Sequence, residues 1–333
     1  EMTSSLVGSE MCIRDSGITT DIEATIKEEG EIVVSAKLFL DIVRRLPEEI
    51  VFIETDERMV TYIACGKVNY QIVGMSSVEY PDLPSFEQTD RITLNAKILR
   101  DMIRQTVYAV SENTAKPIYT GSLYEIEDGV FKIIAIDGYR MAIRSENVDS
   151  ESKNRFVVPG KTQHEVLKLL TDDEENTEII IGQRHITFKI KNYRIISRLI
   201  EGTFIEYKSA IPKETKTEVV INTRTIIDAV ERMSLLNNDR IQSPVRCIFS
   251  DDEIKLSCTS AVGRANDVIS VPIIGESVEI GFNNRYLLDA LKNADTDEIK
   301  LILNGSLTAM IVKPVKGDSY LSIVVPMRLA NEN

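Results

Sequence analysis

The 333-residue sequence has no tryptophan, two histidines and four cysteines, and each shortage excludes a class of protein. The cysteines, at positions 12, 65, 247 and 258, are too few and too scattered for the disulfide framework of a secreted domain. Two histidines leave little material for a zinc site. No stretch approaches the ~20 apolar residues that a membrane-spanning helix needs. We therefore expect a cytoplasmic protein with reduced thiols.

The residue patterns that carry catalysis are also missing. Gly160 and Lys161 lack the upstream glycine and the following Ser or Thr of a phosphate-binding loop. No GxSxG, HExxH or CxxC pattern occurs, and His164 has no second histidine or cysteine at ligand spacing. Nothing combines a nucleophile, a base and an oxyanion hole. The sequence predicts a protein that is not an enzyme and has neither a metal nor a cofactor.

The net charge and the chain length further restrict the class of protein. Asp and Glu number 52 against 39 Lys and Arg, so the net charge of −13 excludes a uniformly basic coat but not a basic patch inside an acidic shell. At roughly 150 residues per domain, the length predicts two or three domains. The hydrophobic fraction of 43% suffices for more than one core.

An internal repeat organises the chain. A short apolar strand, a helix-capping residue, a basic residue two positions later and apolar residues at helical spacing recur five times, as in ITLNAKILRDMIRQT and EIGFNNRYLLDAL. The corner residues are separated by 60, 64, 63 and 61 positions. Ser and Asn cap helices with a side-chain oxygen, and proline fits the same corner through its fixed φ. The corner residues are Ser35, Asn95, Pro159, Asn222 and Asn283.

Short alternating runs lie between these predicted helices and indicate antiparallel strands. They cover residues 51–54, 60–64, 68–73, 178–182, 185–190 and 193–200, with a further candidate at 17–27. Each unit of about 60 residues is thus β-α-β-β-β. The predicted fold class is α+β, with duplicated units and helices on one face of antiparallel sheets.

The repeat and the Pro/Thr/Lys/Glu-rich joints predict three similar domains, at residues 17–90, 91–215 and 216–333. Residues 1–16 are predicted to be a non-native leader, because LVGSEMCIRDS can be back-translated into a sequence that resembles a transposon-end adapter. The first domain contains one repeat unit where the others contain two, so we expect its N-terminal part to be missing.

A cation recurs two positions after each corner, where it opposes the helix dipole. One explanation is an i,i+4 ion pair with the acid four residues on, in the less favourable order. The other is that the helix starts face a polyanion. Residue types alone leave both open. The cations are Lys37, Lys97, Lys161, Arg224 and Arg285, and the acids are Asp41, Asp101, Glu165, Asp228 and Asp289.

Several segments resemble the bacterial DNA polymerase III beta subunit family, the DNA sliding clamps. They are IIAIDGYRMAI at 133–143, VVPGK at 157–161, LIEGTFIEYKSAIPK at 199–213, EIGFNNRYLLDAL at 279–291 and IVVPMRL at 323–329. The resemblance runs from residue 17 to 329. It implies the DNA-clamp fold and a head-to-tail homodimer of six domains, whose ring surrounds duplex DNA without reading its sequence.

The resemblance also implies site residues. Lys161 matches a DNA-contacting lysine, and Asn113 and Lys116 match a DNA-contacting loop; Lys37, Lys97, Arg100, Arg104, Arg224 and Arg285 are the further predicted DNA contacts. A pocket for short peptides of the polymerase, the clamp loader and repair proteins is implied at Tyr119, Ile136, Gly138, Tyr139, Arg140, Met141, Asn283, Tyr286, Leu307, Ile323, Val324, Val325, Pro326, Met327, Arg328 and Leu329. Dimer contacts are implied at Tyr70, Ile72, Leu235 and Leu236.

Two positions depart from the family pattern. Ile205 stands where the pocket has a proline and Ser209 where it has an arginine, so the preferred peptide can differ from that of the family. Two other functions stay open at this point. One is a peptide-binding scaffold that forms no ring. The other is a metal-dependent nuclease using Asp137 and the acidic turns at 172–175 and 251–253, which no ligand spacing supports.

Overall fold

The computed structural model describes residues 4–7, 16–80, 90–171, 175–236 and 243–329. Its helices are α1 (Ala36–Val43), α2 (Ala96–Val107), α3 (Gly160–Leu169), α4 (Thr223–Ser234) and α5 (Asn284–Lys292). Its strands are β1 (Ser4–Val7), β2 (Ser16–Asp21), β3 (Val51–Thr55), β4 (Val60–Cys65), β5 (Val68–Val73), β6 (Asp90–Asn95), β7 (Gly121–Glu127), β8 (Val130–Ile136), β9 (Arg140–Asn147), β10 (Asn154–Pro159), β11 (Asn176–Ile181), β12 (His185–Ile190), β13 (Tyr193–Arg198), β14 (Thr217–Asn222), β15 (Val245–Ser250), β16 (Glu253–Ser260), β17 (Gly263–Ser270), β18 (Ile273–Gly275), β19 (Val278–Phe282), β20 (Glu298–Leu303), β21 (Met310–Pro314) and β22 (Tyr320–Val324).

The helices begin at the predicted corners. Asn95, Asn222 and Asn283 each use the side-chain oxygen to accept a hydrogen bond of 2.9–3.0 Å from a backbone N–H of the first turn. Ser35 makes the same contact at 3.5 Å. Pro159 makes no side-chain cap, and its φ of −56° and ψ of 138° turn the chain into α3. The predicted corners are therefore confirmed.

The first structural unit contains Glu1–Arg91 and Thr177–Arg198, insofar as these are described. Strands β3, β4 and β5 form one antiparallel sheet, and β1, β2, β13, β12 and β11 follow one another in a second. Ile42 of α1 packs against Ile63 and Ile72 of the first sheet in a small core. The α1 side chains of Leu38 and Val43 are exposed.

Two predicted segments of this unit differ in the structure. The strand predicted over residues 17–27 ends at Asp21, and the exposed, Glu-rich stretch that follows joins no ladder as far as residue 31. Strand β2 begins at Ser16, inside the predicted leader, and β1 pairs with it. Residues 1–3 and 8–15 lie outside the described residues, and the non-native origin of the leader stays a prediction.

The second structural unit contains Ile92–Asn176 and Leu199–Asn333, insofar as these are described. A nine-stranded sheet runs in the order β10-β7-β8-β9-β22-β21-β20-β14-β18, and a four-stranded sheet in the order β17-β16-β15-β19. Helix α2 packs beside α3, and α4 packs beside α5. Cys247 and Cys258 are buried in the core, and burial raises the pKa of the Cys247 thiol to about 12.

The pairing of β9 with β22 makes the nine-stranded sheet continuous. Met141 lies opposite Ile323, and Arg140 lies opposite Val324. The second and third repeat pairs of the sequence are therefore joined by backbone hydrogen bonds. The segments that carry the predicted peptide pocket lie along this joint.

We expect Ile42→Ala to destabilise the α1 segment by about 2–4 kcal/mol, because it opens a cavity in a core of few side chains. Leu40→Ala, on the same helix but exposed, is the matched control and should change stability little. Hydrogen exchange of the α1 and β3–β5 amides measures both, with the second unit as internal reference. Equal losses in the two variants would contradict the described orientation of α1.

Candidate interaction sites: helix-borne cations and an apolar cleft

The five cations at the helix starts are all exposed, and four of the five predicted ion pairs do not form. Only Arg224 meets its predicted acid, with 2.8 Å between Nε and Asp228 Oδ1. The ion-pair explanation for the recurring cation is therefore wrong for α1, α2, α3 and α5.

The predicted acids bind other cations. In α1, α2 and α3 they pair with a basic residue three or four positions further along, as Asp41 does with Arg45 at 3.7 Å and Glu165 with Lys168 at 2.8 Å. An acid that precedes its base is the order that the helix dipole favours. Among the described residues, no carboxylate lies within 4.0 Å of Lys37, Lys97 or Lys161.

The other predicted DNA contacts differ in their exposure and in the ion pairs that they make. Asn113 and Lys116 are exposed in the loop before the 3₁₀ turn Pro117–Thr120, and Arg100 is half-buried. The guanidinium of Arg104 binds Asp101 and, at 2.5 Å, Asp295. Arg285 lies 3.5 Å from Glu112, with both side chains exposed. Arg104 therefore has a structural role within the second unit, and its contact with DNA stays a prediction.

The predicted pocket residues Tyr119, Ile136, Met141 and Ile323 come together in one apolar cluster on either side of the β9–β22 joint. Ile136, Met141 and Ile323 are buried and form its floor, while Tyr119 is half-buried at its margin. The cluster also contains residues that the prediction omitted. They are Ile118, Leu123, Ile134, Ile143, Val157, Ile200, Phe204, Tyr207, Ile211, Ile302, Ala309, Ile311 and Leu321.

An aromatic stack stands beside this cluster. The ring of Tyr139, which is 60% exposed, lies parallel to that of Tyr286 at 5.7 Å. The guanidinium carbon of Arg140 lies 4.7 Å from the Tyr286 ring centre and 5.4 Å from that of Tyr108. Asn283 caps α5 by accepting from the backbone N–H of Tyr286, so its oxygen fixes the start of the helix that carries this ring.

Arg140 is buried and held by two carboxylates. Its Nε donates to Asp137 at 2.9 Å, and its Nη1 donates to Asp289. Asp137 also accepts from the backbone N–H groups of Tyr139 and Arg140, which fixes the turn between β8 and β9. The guanidinium therefore holds that turn to α5, so the buried Arg140 has a structural role beside the predicted pocket rather than an exposed position in it.

Three hydroxyl groups extend this network into the core. Tyr108 Oη lies 3.0 Å from Tyr320 Oη and 2.8 Å from Ser322 Oγ. Burial raises the pKa of Tyr108 to about 12 and holds the pKa of Tyr320 well above its ordinary value, so both stay protonated at neutral pH. No sequence signal predicts this trio, because Tyr108 lies 212 and 214 positions before Tyr320 and Ser322, which are both on β22.

The remaining predicted pocket residues are not all exposed to a ligand. Val324 is fully buried, so its side chain cannot reach one, whereas Val325 is 40% exposed. Pro326, Met327 and Leu329 are half-buried and Arg328 is exposed. Gly138 has a φ of 97°, which suits the tight turn before Tyr139. Leu307 is 82% exposed and lies outside the apolar cluster.

The predicted dimer residues differ in how far their side chains are exposed. Tyr70 is partly exposed on β5, an outer strand of its three-stranded sheet, and Leu235 is 83% exposed after α4. Leu236 is half-buried against the core of the second unit. Ile72 is only 6% exposed because it packs under Ile42 of α1. Its side chain is thus unavailable to a partner, and only its backbone remains on the strand edge.

No helix in the described ranges is both long and apolar enough to cross a membrane. No three His, Cys, Asp or Glu side chains are grouped there so as to hold a metal ion.

Comparison with known proteins decides the family. Sequence models of the N-terminal, central and C-terminal domains of the DNA polymerase III beta subunit match residues 5–84, 93–206 and 208–328, in this order. The chain belongs to this family. The beta sliding clamp of Halalkalibacterium halodurans is 34% identical over 310 residues, covering 91% of this chain and 82% of that protein. That of Bacillus subtilis is 32% identical over 309 residues, with the same coverage.

Solved structures of the family agree with the fold. The Bacillus subtilis sliding clamp superposes with a TM-score of 0.91 at 32% identity, covering 95% of this chain and 87% of that one. The beta subunit of Pseudomonas aeruginosa gives a TM-score of 0.91 at 25% identity, covering 98% and 89%. The predicted family and the α+β clamp fold with three similar domains are confirmed. Because the beta subunit is a non-catalytic processivity subunit, the prediction of a protein that is not an enzyme is confirmed as well.

We expect Arg140→Gln to destabilise the second unit by about 3–5 kcal/mol, because two carboxylates then lose a buried cation. Arg224→Gln breaks an exposed ion pair and should cost less than about 1 kcal/mol. Urea unfolding followed by circular dichroism measures both. A small effect at Arg140 would mean that the network contributes little to holding the turn to α5.

Proposed function

We propose that this chain is a DNA sliding clamp, which encircles duplex DNA as a ring-shaped homodimer and holds the replicative polymerase on it. The observation that carries the proposal is the ordered match of all three beta-subunit domains along one chain. A replication clamp acts on the chromosome, so we place the protein in the bacterial cytoplasm.

The unpaired lysines at the helix starts support the DNA contact. Lys97 and Lys161 are exposed, lack a carboxylate within 4.0 Å among the described residues, and stand where the helix dipole disfavours a cation. A DNA phosphate in front of them would offset that cost. Such contacts hold a duplex without reading its sequence, as sliding requires. The acidic excess elsewhere on the chain would oppose DNA binding at other faces.

The apolar cleft beside the β9–β22 joint suits a short extended peptide. The cluster beneath it is apolar, Tyr119 is half-buried against that cluster, and the backbone N–H of Val325 donates to Tyr139 O, two residues before Met141 of the cluster. An apolar floor with a few polar directors is the common composition of a specific site. We assign to it the peptides of the polymerase, the clamp loader and repair proteins.

The homodimer is proposed to form between two strand edges. Within their own sheets, β5 and β17 are both terminal strands. Tyr70 lies on β5, and Leu236 lies beside Gly263 at the start of β17, next to the exposed Leu235. Pairing β5 of one copy with β17 of another would cover both edges and bury a small apolar contact within a polar rim.

We expect Lys97→Glu with Lys161→Glu to weaken binding to a 30-base-pair duplex and to lower the slope of log affinity against log salt by about 2. Lys316→Glu makes the same charge change on an exposed turn and should leave the slope unchanged. Fluorescence anisotropy between 25 and 200 mM salt measures it. Equal slopes for all variants would contradict the proposed DNA face, and light scattering of the wild type tests the dimer separately.

The probe is a fluorescein-labelled peptide that is polar except for a leucine and a phenylalanine anchor. We expect Met327→Asp to weaken its binding at least tenfold, about 1.4 kcal/mol. A charge would then stand in an apolar cleft. Ile274→Asp, which changes an exposed side chain on β18, is the control. Undiminished binding by the Met327 variant would exclude this cleft as the peptide site.

A further inference from the structure

The last described residues form a strap that is fastened at two points. This C-terminal strap, residues 325–329, leaves the end of β22. The backbone N–H of Val325 donates to Tyr139 O at 2.9 Å, and that of Met327 donates to Gly281 O at 2.8 Å. The strap thus connects the turn after β8 with strand β19, and it begins two residues after Ile323 of the apolar cluster.

Gly281 is buried by the strap itself. In β19, Val278, Ile280 and Phe282 point into the core, while Glu279, on the same face as Gly281, is exposed. Gly281 lies on this outer face and is nevertheless buried, because Met327 pairs with it as an isolated antiparallel bridge.

The approach of the strap leaves little room for a side chain at this position. A Cβ on Gly281 would lie 2.6 Å from Leu329 Cδ2 and 3.0 Å from Met327 O. Its φ lies outside the left-handed region, so the constraint is space rather than backbone conformation. A glycine inside a strand is unfavourable unless another backbone approaches closely, which is what the strap does.

We propose that Gly281 is a positioning residue for the peptide cleft. It forms a seat for Leu329, and the seated strap holds Val325 and Met327 as one wall of the cleft. Val325 keeps 40% of its surface exposed there, while Leu329 is half-buried over the glycine. The inference rests on the proposed function, because the cleft matters only if a peptide binds in it.

Gly281→Ala is the first test, and Gly30→Ala is its matched control, since a Cβ on Gly30 would meet nothing within 4 Å. We expect Gly281→Ala to weaken binding of the leucine- and phenylalanine-anchored peptide at least tenfold. We also expect trypsin to cleave faster after the exposed Arg328, releasing residues 329–333, as followed by mass spectrometry. Wild-type affinity together with a wild-type cleavage rate would overturn the proposal.

Leu329→Ala keeps the glycine and removes the side chain that sits on it. We expect a loss of peptide affinity and faster cleavage after Arg328 here too, and the double variant should lose no more than Gly281→Ala alone. Additive losses would show that the two residues act separately, which contradicts a seat. These measurements keep the proposal testable even if Gly281→Ala unfolds.

The two proposals fail in different ways. If the wild type does not bind the peptide, the proposed function of the cleft fails, whereas the cleavage rates after Arg328 still report whether Gly281 seats the strap. If the wild type binds and Gly281→Ala binds equally well, the seat fails and the cleft remains. An unchanged unfolding temperature of the second unit shows that any loss is local.

Discussion

The pairing of β9 with β22 is the contact on which the candidate cleft depends. It makes one nine-stranded sheet out of strands from two repeat pairs, and it sets Met141 opposite Ile323 at the floor of the cleft. The same pairing brings the turn before β9 towards α5, where Arg140 meets Asp289. A buried guanidinium needs such partners, because removing it from water without them is costly. The proposed cleft and the domain joint therefore share residues, so a peptide bound as proposed would also contact the elements that hold the two domains together.

The cations at the helix starts illustrate a different constraint. Ion pairs of the favoured order leave the acids of α1, α2 and α3 bound to later cations, so Lys37, Lys97 and Lys161 have no carboxylate within 4.0 Å in the described part of the chain. Each stands against the helix dipole without compensation from the protein. An arrangement that is unfavourable for the free chain, repeated on three helices, favours an external anion as the missing partner. Under the proposed function, that anion is DNA phosphate.

Contacts within one turn of a helix could be predicted from the sequence, whereas contacts between distant segments could not. The corners at Asn95, Asn222 and Asn283 depend on a side chain and the first turn of its own helix, so residue type and spacing sufficed. The predicted pair of Arg285 with Asp289 does not form, because Asp289 instead binds Arg140, which is 149 residues away in the sequence. The burial of Ile72 could not be predicted for the same reason. Its spacing of two residues from Tyr70 places both side chains on one face of β5, but only the position of α1 decides that Ile72 is the one covered. The resemblance named candidate pocket residues, but it did not distinguish Arg140, which is buried between two carboxylates, from Met327, which is half-buried on the strap.

Gly281 shows that a sequence signal can be correct while the structural reason for it stays unknown. A glycine between Ile280 and Phe282 in a strand indicates that something comes close, but the sequence does not say what. The structure supplies the partner 46 residues further on, where Met327 bridges to it. Because the strap meets both the turn after β8 and strand β19, its position depends on the β9–β22 joint as well as on the glycine. The wall of the cleft is thus set by two backbone hydrogen bonds and one missing side chain, rather than by the residues that would touch a peptide.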